Sequence, residues 1–381
     1  MEEIYSKCVV DVTNFFSYEK FIEAVWALDN TSSPGYPFMF EKTTIGDWLE
    51  FNGYKHSETQ IAKLWIMVND LVNCEEWDVL WRCFIKQEPT KSYKIESSRY
   101  RLIMCPPLHL QVLWQMVFAA QNAIEISKAY YIPSQQGISM PYGRWKLFYE
   151  QWKNKGITSG TDATAWDWNL PGWMIRLDLE FRKRLVRGST SNWEKLANKL
   201  YENAFRDCKI IFSCGTILQQ QSWGVMKSGC VNTISTNSHC GVFYHFIYCF
   251  ENKVEINPLP SVVGDDKLQH PKHCENIETY EKYGMLIKSV SDTMEFVGHE
   301  FRETGPCPMY IYKHIYNLLY QEDDLLPEVL DGYLRLYANS EEFNMWYDIA
   351  RELGLLVNCR TRTYYKSWYN SPNGGKSVGK A

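Results

Sequence analysis

Gly264-Asp265-Asp266 stands between two short β-prone runs, Ser261-Val262-Val263 and Lys267-Leu268-Gln269. A glycine and two acids between such runs predict a hairpin whose turn thrusts carboxylates outward. That ties at least part of the chain to an antiparallel sheet with negative charge at one end. An ordinary solvated hairpin has the same signature, so the triplet alone decides nothing.

A second acidic segment lies upstream, Thr161-Asp162-Ala163-Thr164-Ala165-Trp166-Asp167, after a run from Gly156 to Thr161 that reads as a strand ending in a turn. Phosphoryl transfer to a sugar hydroxyl uses two divalent cations about 3.5 to 4 Å apart, one at the attacking oxygen and one at the leaving phosphate. Carboxylates from separate segments must converge to hold them. Magnesium takes hard oxygen ligands and keeps several waters, so two or three Asp residues plus substrate phosphates suffice. Asp162, Asp265 and Asp266 are the candidates.

Between the acidic segments runs Ser228-Gly229-Cys230-Val231-Asn232-Thr233-Ile234-Ser235-Thr236-Asn237, a small flexible pair and then a predicted helix. Thr233 and Asn237 are four apart and share one helical face. A capping serine and a polar helix residue would explain the same letters.

The formal charge, 40 basic against 45 acidic residues or −5, gives no overall basic field, so any footprint for a polyanion has to be local. Arg82, Lys86, Lys91, Lys94, Arg99 and Arg101 crowd a stretch with only Glu88 and Glu96 as acids. Such residues can neutralise a triphosphate, and arginine can grip phosphate through two parallel hydrogen bonds. An exposed basic loop is the plainer account.

A length of 381 residues suggests two or three domain-sized units. With 45% apolar, 22% charged and 15% aromatic residues the chain fits a globular enzyme, not a fibrous or disordered one. Twelve cysteines without a Cys-x-x-Cys pair, and no secretory segment ahead of them, read as reduced cytosolic thiols. No stretch reaches the ~18 apolar residues of a membrane span, so the chain is expected to be soluble or peripherally bound. Leu108 to Ala129 predicts a long apolar core helix. Pro171 to Gly188 predicts another, with Trp173, Leu177, Phe181 and Leu185 inward; its basic run Arg182-Lys183-Arg184 with Arg187 could face RNA but reads as readily as a solvated face, so it is given no role. Glu341 to Leu356 predicts a third, on Phe343, Trp346, Ile349, Ala350 and Leu353. The tail from Ser371 to Ala381 lacks the apolar content to pack.

A basic segment, Asp-x4-Asp, Ser-Gly-x3-Thr-x3-Asn and Gly-Asp-Asp, in that order, together resemble motifs F, A, B and C of the RNA-dependent RNA polymerases of positive-strand RNA viruses. The sobemovirus and polerovirus type is the nearest. Phe84-Ile85-Lys86-Gln87-Glu88-Pro89, Arg99-Tyr100-Arg101-Leu102-Ile103-Met104, Trp166-Asp167-Trp168 and Lys227-Ser228-Gly229 are similar to that group, as are Phe296-Val297-Gly298-His299-Glu300-Phe301 (motif E) and Thr31-Ser32-Ser33-Pro34-Gly35-Tyr36-Pro37 (motif G).

The resemblance implies an α+β right hand of fingers, palm and thumb, with an antiparallel palm sheet backed by helices and closed by fingertips. It implies fingers over 1–155 with segments touching the palm, a palm over 156–302 with a fingers insertion around 185–222, a helical thumb over 303–370 and a flexible tail over 371–381. Asp162 and Asp265, with a weaker contribution from Asp266, would hold Mg2+, or Mn2+ in its place. Asp167, Thr233 and Asn237 would recognise the ribose. Lys86, Lys91, Arg99 and Arg101 would meet the triphosphate, and Ser228, Gly229 and Gly264 would form loops against the template. The implied partners are RNA template and nascent RNA, ribonucleoside triphosphates, a genome-linked protein primer and other viral replication proteins. The implied location is the host cytoplasm, at membrane-associated replication complexes reached through partners.

Some positions depart from the family pattern. Lys267 stands where the sobemovirus type has serine and would place an extra cation beside the metals. Lys288, the candidate proton donor, lies closer to Gly284 than in picornavirus relatives. His270, His273 and Cys274 have zinc-ligand chemistry but no evident fourth ligand, and Pro271 among them points to an ordinary loop, so no zinc is expected there. A reverse transcriptase would share the palm, yet Gly264 and Asp167 stand where it has aromatic residues. A metal-dependent nuclease would have no use for a ribose-reading pair. A non-catalytic RNA-binding subunit would not gather carboxylates where RNA must approach.

Overall fold

The computed structural model describes residues 1–372, so the expected flexible tail lies, from residue 373 onward, outside the described residues. Helices α1 (Tyr18–Trp26) and α2 (Glu58–Asn73) precede strands β1 (Leu80–Ile85) and β2 (Leu102–Cys105), then helices α3 (Leu108–Ser127) and α4 (Trp145–Lys155). Next come β3 (Ser159–Ala163), α5 (Gly172–Arg184), α6 (Ser191–Phe205), β4 (Lys209–Phe212), β5 (Ile217–Gln219) and α7 (Thr233–Asn252). Strands β6 (Ser261–Val263), β7 (Asp266–Gln269), β8 (Ile287–Ser291), β9 (Glu295–Phe296), β10 (His299–Arg302) and β11 (Gly305–Pro308) follow. Helices α8 (Ile311–Leu319), α9 (Leu326–Leu336), α10 (Phe343–Glu352) and α11 (Arg362–Asn370) end the described chain.

The hairpin expected around Gly264 is β6-β7, and it lies in a four-stranded sheet of order β8-β3-β7-β6 in which every neighbour is antiparallel. Helix α7 backs this sheet closely. A Cβ on its Gly241 would come within 2.7 Å of Val262 Cγ1, so the glycine is what lets helix and strand touch. A second sheet, β2-β1-β4-β5, pairs β1 parallel with β4 and carries the basic stretch on its β1-β2 connection. A third is the antiparallel meander β9-β10-β11.

Two apolar cores form. The larger gathers residues from Tyr5 to Met285 around α3, whose burial on most sides suits its apolar sequence. The smaller joins α4, the meander and the C-terminal helices through Trp145, Trp152, Phe301, Leu330, Trp346 and Tyr365. Thus α4, though early in the chain, packs with the last elements.

The α5 helix corrects its expected face and end. Pro171 caps it, but it stops at Arg184, and Trp173 and Leu177 are exposed while Met174, Ile175, Asp178, Leu179, Phe181 and Arg182 point inward. Residues four apart drift by about 40° per step on a helix of 3.6 residues per turn, so a row of every-fourth positions winds out of the core. In α10 the expected Phe343, Trp346 and Ala350 are buried, over a shorter span than the sequence suggested.

Candidate active site

Val263 pairs with Asp266 across the β6-β7 hairpin, which leaves Gly264 and Asp265 as its two-residue turn. Gly264 has φ +64°, a conformation that side chains resist. Its N–H donates to Ser238 Oγ of α7 at 2.9 Å, so the helix holds the turn directly. On the next strand Thr161 faces Lys267, which brings Asp162 level with Asp266. Three carboxylates from β3 and the hairpin therefore converge.

Strand alternation sends Lys267 the other way. It is buried beneath the sheet, donates to Tyr280 Oη at 3.2 Å and lies 4.3 Å from that ring's centre. Burial pulls its ammonium down to about 7. The expected extra cation beside the carboxylates is thereby corrected, because the residue after Asp266 belongs to the opposite face.

The carboxylates feel one another. Although Asp266 as a residue reaches solvent, its carboxyl sits in the crowded cleft, where burial first, then Asp265 and Asp162, raise it to about 6. Among the described residues a cation faces them. The β8-β3 register shifts between Ile287 and Ser289, so Lys288 is the extra residue of a bulge, and its ammonium hydrogen-bonds Asp162 Oδ2. That bond and the charge behind it raise the lysine above its ordinary value.

Beside them, Ala165 at φ +48° turns the chain from β3 into the single helical turn Trp166–Asn169. This presents Asp167 to α7, where Asn237 Nδ2 donates to Asp167 Oδ1 at 3.2 Å. Burial raises the Asp167 carboxyl; the Asn237 bond opposes, Asp265 adds to the rise and Arg101 opposes it. The amide oxygen of Asn237 is buried without a partner. Thr233, expected to act with them, lies within 2.7 Å of the carbonyls of Lys227 and Cys230, and so its hydroxyl is engaged by the loop. Ser228 Oγ donates to the Leu102 carbonyl at 2.9 Å. A Cβ on Gly229 would meet Met104 O at 2.4 Å, so only glycine lets this loop lie against β2.

The basic stretch frames the β1-β2 connection. Lys86 N–H donates to the Arg101 carbonyl at 2.8 Å, and Glu88 pairs with both side chains, at 3.1 Å to Arg101 and 3.2 Å to Lys86. Burial opposes ionisation of Glu88, but Arg101 and Lys86 prevail and lower it. Lys91 and Arg99 are exposed on the same connection. Arg182, by contrast, is wholly buried, although its sequence neighbours marked it as part of a surface run.

The histidines resolve differently. His273 lies beside His245 and Cys249, all buried. The ring Nε2 atoms of His245 and His273 meet the Ile256 and Glu255 carbonyls at 2.8 and 3.0 Å, which fixes the loop after α7. Cys274 Sγ accepts from Gln269 at 3.2 Å. Ser238 was not singled out from sequence, and nothing local marks it, because its partner Gly264 is 26 residues away.

Residues 5–305 match the family model described as viral RNA-dependent RNA polymerase. Protein P1-P2 of Potato leafroll virus is 30% identical over 271 residues, covering 66% of this chain and 24% of that protein. Replicase polyprotein P2AB of Southern bean mosaic virus is 27% identical over 241 residues, covering 62% of this chain and 23% of that one. The chain thus spans about a quarter of the length of these curated relatives. Among solved structures, the Sicinivirus 3Dpol RNA dependent RNA polymerase superposes with a TM-score of 0.74 at 16% identity, covering 97% of this chain and 84% of that one. That likeness shows the fold, an α+β polymerase hand.

Proposed function

The chain belongs to the viral RNA-dependent RNA polymerase family, and on that premise we propose that it copies a positive-strand RNA genome, with Asp162, Asp265 and Asp266 as the metal ligands. Three carboxylates opposed by one ammonium form a net negative set of hard oxygen donors, which suits Mg2+ or Mn2+. Two such cations, when bound, activate the attacking hydroxyl and neutralise the leaving phosphate.

The chain's own groups do the rest. Lys86 and Arg101 leave Glu88 to meet the triphosphate, with Lys91 and Arg99 on the approach. Lys288, kept charged beside Asp162, would be free to donate a proton wherever Asp162 held a metal in its place. Ser228 and Gly229 carry a loop against the template, and Gly264 shapes the turn. RNA and ribonucleoside triphosphates are the substrates of this reading. A genome-linked protein primer, other replication proteins and a place at membrane-associated complexes in the host cytoplasm are further proposals; among the described residues no helix is long and apolar enough to cross a membrane.

The observation that carries the reading is the Asp167–Asn237 pair beside the carboxylates. Asp167 accepts, and Asn237 offers a buried oxygen with no partner, so a sugar hydroxyl would find acceptors for its proton and the amide for its oxygen. A deoxyribose would leave these groups unpaired, at about 1 to 3 kcal/mol. The test is incubation with an RNA template, four ribonucleotides and Mg2+ or Mn2+, with and without primer, followed by the kcat/KM ratio for ATP over dATP. RNA lengthening with a ratio that collapses in Asp167→Ala and Asn237→Ala is expected. RNA shortening, or equal loss for both nucleotides, would contradict it.

A further inference from the structure

Four charged side chains meet behind the cleft, all completely buried: Glu125 of α3, Asp178 and Arg182 of α5, and His239 of α7. His239 spans the two carboxylates, Nδ1 to Asp178 at 2.6 Å and Nε2 to Glu125 at 3.0 Å. Both ring nitrogens face carboxylate oxygens, an arrangement that an imidazolium satisfies by donating from each. Burial pushes it down, but Glu125 and Asp178 outweigh that and lift it to about 9. Two positive and two negative charges then cancel.

The cluster grips one face of α7 by directional bonds. Arg182 donates from Nε to Asp178 at 3.1 Å and from Nη2 to Ser235 at 2.5 Å. Thr236 Oγ1 and Tyr201 Oη donate to Asp178 Oδ2 at 2.7 and 2.6 Å. Ser235 Oγ also meets Asn122, whose amide reaches Asn232 at 2.9 Å. Residues 232, 235, 236 and 239 thus line one side of the helix, while Asn237, Ser238 and Gly241 lie on the other, toward Asp167 and the hairpin.

We propose that this buried quartet is a positioning device for sugar recognition, with Arg182, Thr236 and His239 setting the rotation of α7 that brings Asn237 to Asp167. The inference rests on the reading of that pair as the ribose site. Apolar packing alone tolerates small slips, whereas a helix end held by several directional bonds has one rotation. Side-chain tips lie about 5 to 6 Å from a helix axis, so a turn of roughly 10° moves them about 1 Å. The Asn237–Asp167 bond, already 3.2 Å, would not survive that.

The test uses Thr236→Val, which removes one hydroxyl from the cluster without touching a charge, with Ser235→Ala as an independent second variant and Thr236→Ser as the conservative rescue. Leu330→Val, in the C-terminal core, serves as a control for destabilisation. The kcat/KM ratio of ATP to dATP is expected to fall by about three- to tenfold in Thr236→Val and Ser235→Ala, and to stay at the wild-type value in Thr236→Ser and Leu330→Val. A ratio retained in both Thr236→Val and Ser235→Ala, or lost equally in Leu330→Val, overturns the inference. Wild type that uses ATP and dATP equally overturns the reading of the ribose site, and the inference with it.

Discussion

Helix α7 separates two polar regions that solve opposite problems. On its outer side Asp162, Asp265 and Asp266 crowd together with Lys288 as the facing cation, and their mutual repulsion shows in the raised Asp266. On its inner side Asp178 and Glu125 are matched charge for charge by Arg182 and His239, without access to water. The first region carries an excess of like charge; the second is balanced and closed to water. An excess of like charge left standing in a cleft marks a place where something binds, whereas a balanced buried cluster marks a place where geometry is fixed.

The sharpest way to break that comparison is to remove one charge from each side. Asp265→Asn should lower nucleotide addition at least about a thousandfold, the several kcal/mol that a held cation supplies, while RNA binding and thermal stability persist. Relief of repulsion should also let Asp266 titrate lower. Elongation at the wild-type rate would remove Asp265 from the site.

Inside, the effect should fall on folding. Asp178→Asn leaves Arg182 and His239 buried with too little negative charge and should cost about 3 to 5 kcal/mol in denaturant unfolding. The double variant Asp178→Asn with Arg182→Met, which restores the balance, should recover a good part of that. If the single change proves neutral, the cluster does not hold the helix.

These two regions were unequally legible in the sequence. The hairpin could be read because turn residues and short β-prone runs are local signals, and alternation along β7 would also have shown that Lys267 points away from Asp266. The quartet could not. Glu125 sits in a helix apolar enough to be taken simply as core, and Arg182 sits in a basic run that reads as a solvated face. Their partners come from other helices, 53 residues on for Ser235 and 114 from Glu125 to His239. Only the packing of α3, α5, α6 and α7 brings them together. Likewise Thr233 and Asn237 share a helical face by spacing, but spacing does not show that the loop carbonyls already occupy Thr233.

A smaller effect sharpens the outer region. Arg101 is exposed and paired with Glu88, a contact of little worth to the fold, so Arg101→Ala should leave stability nearly unchanged. Nucleotide use should weaken by about 1.5 to 3 kcal/mol, the worth of a hydrogen bond to a charged group. Steady-state kinetics at varied ATP would show it as a raised KM; an unchanged KM and kcat would make Arg101 a surface residue only.

The gentlest probe of the inner region is pH. His239 is held near 9, above the ordinary ~6.5 of an unfolded histidine, because two carboxylates outweigh its burial. A group raised in the folded state binds its proton more tightly there, so its contribution is complete below about pH 6.5 and is lost as pH climbs through about 9. The slope from one such group cannot exceed about 1.4 kcal/mol per pH unit. Asp178, held well below the usual carboxylate range by Arg182, His239 and Tyr201 against the opposing pull of burial, stays charged throughout that window and adds no slope of its own. Buried Lys267, pulled down to about 7, adds a slope of opposite sign that both proteins share, so it is the advantage of the wild type over His239→Gln, in unfolding free energies measured from pH 6 to 9.5, that should decline. Parallel curves for the two proteins would mean that the imidazole is not charged in the folded chain, and the balance of two positive and two negative charges would have to be abandoned.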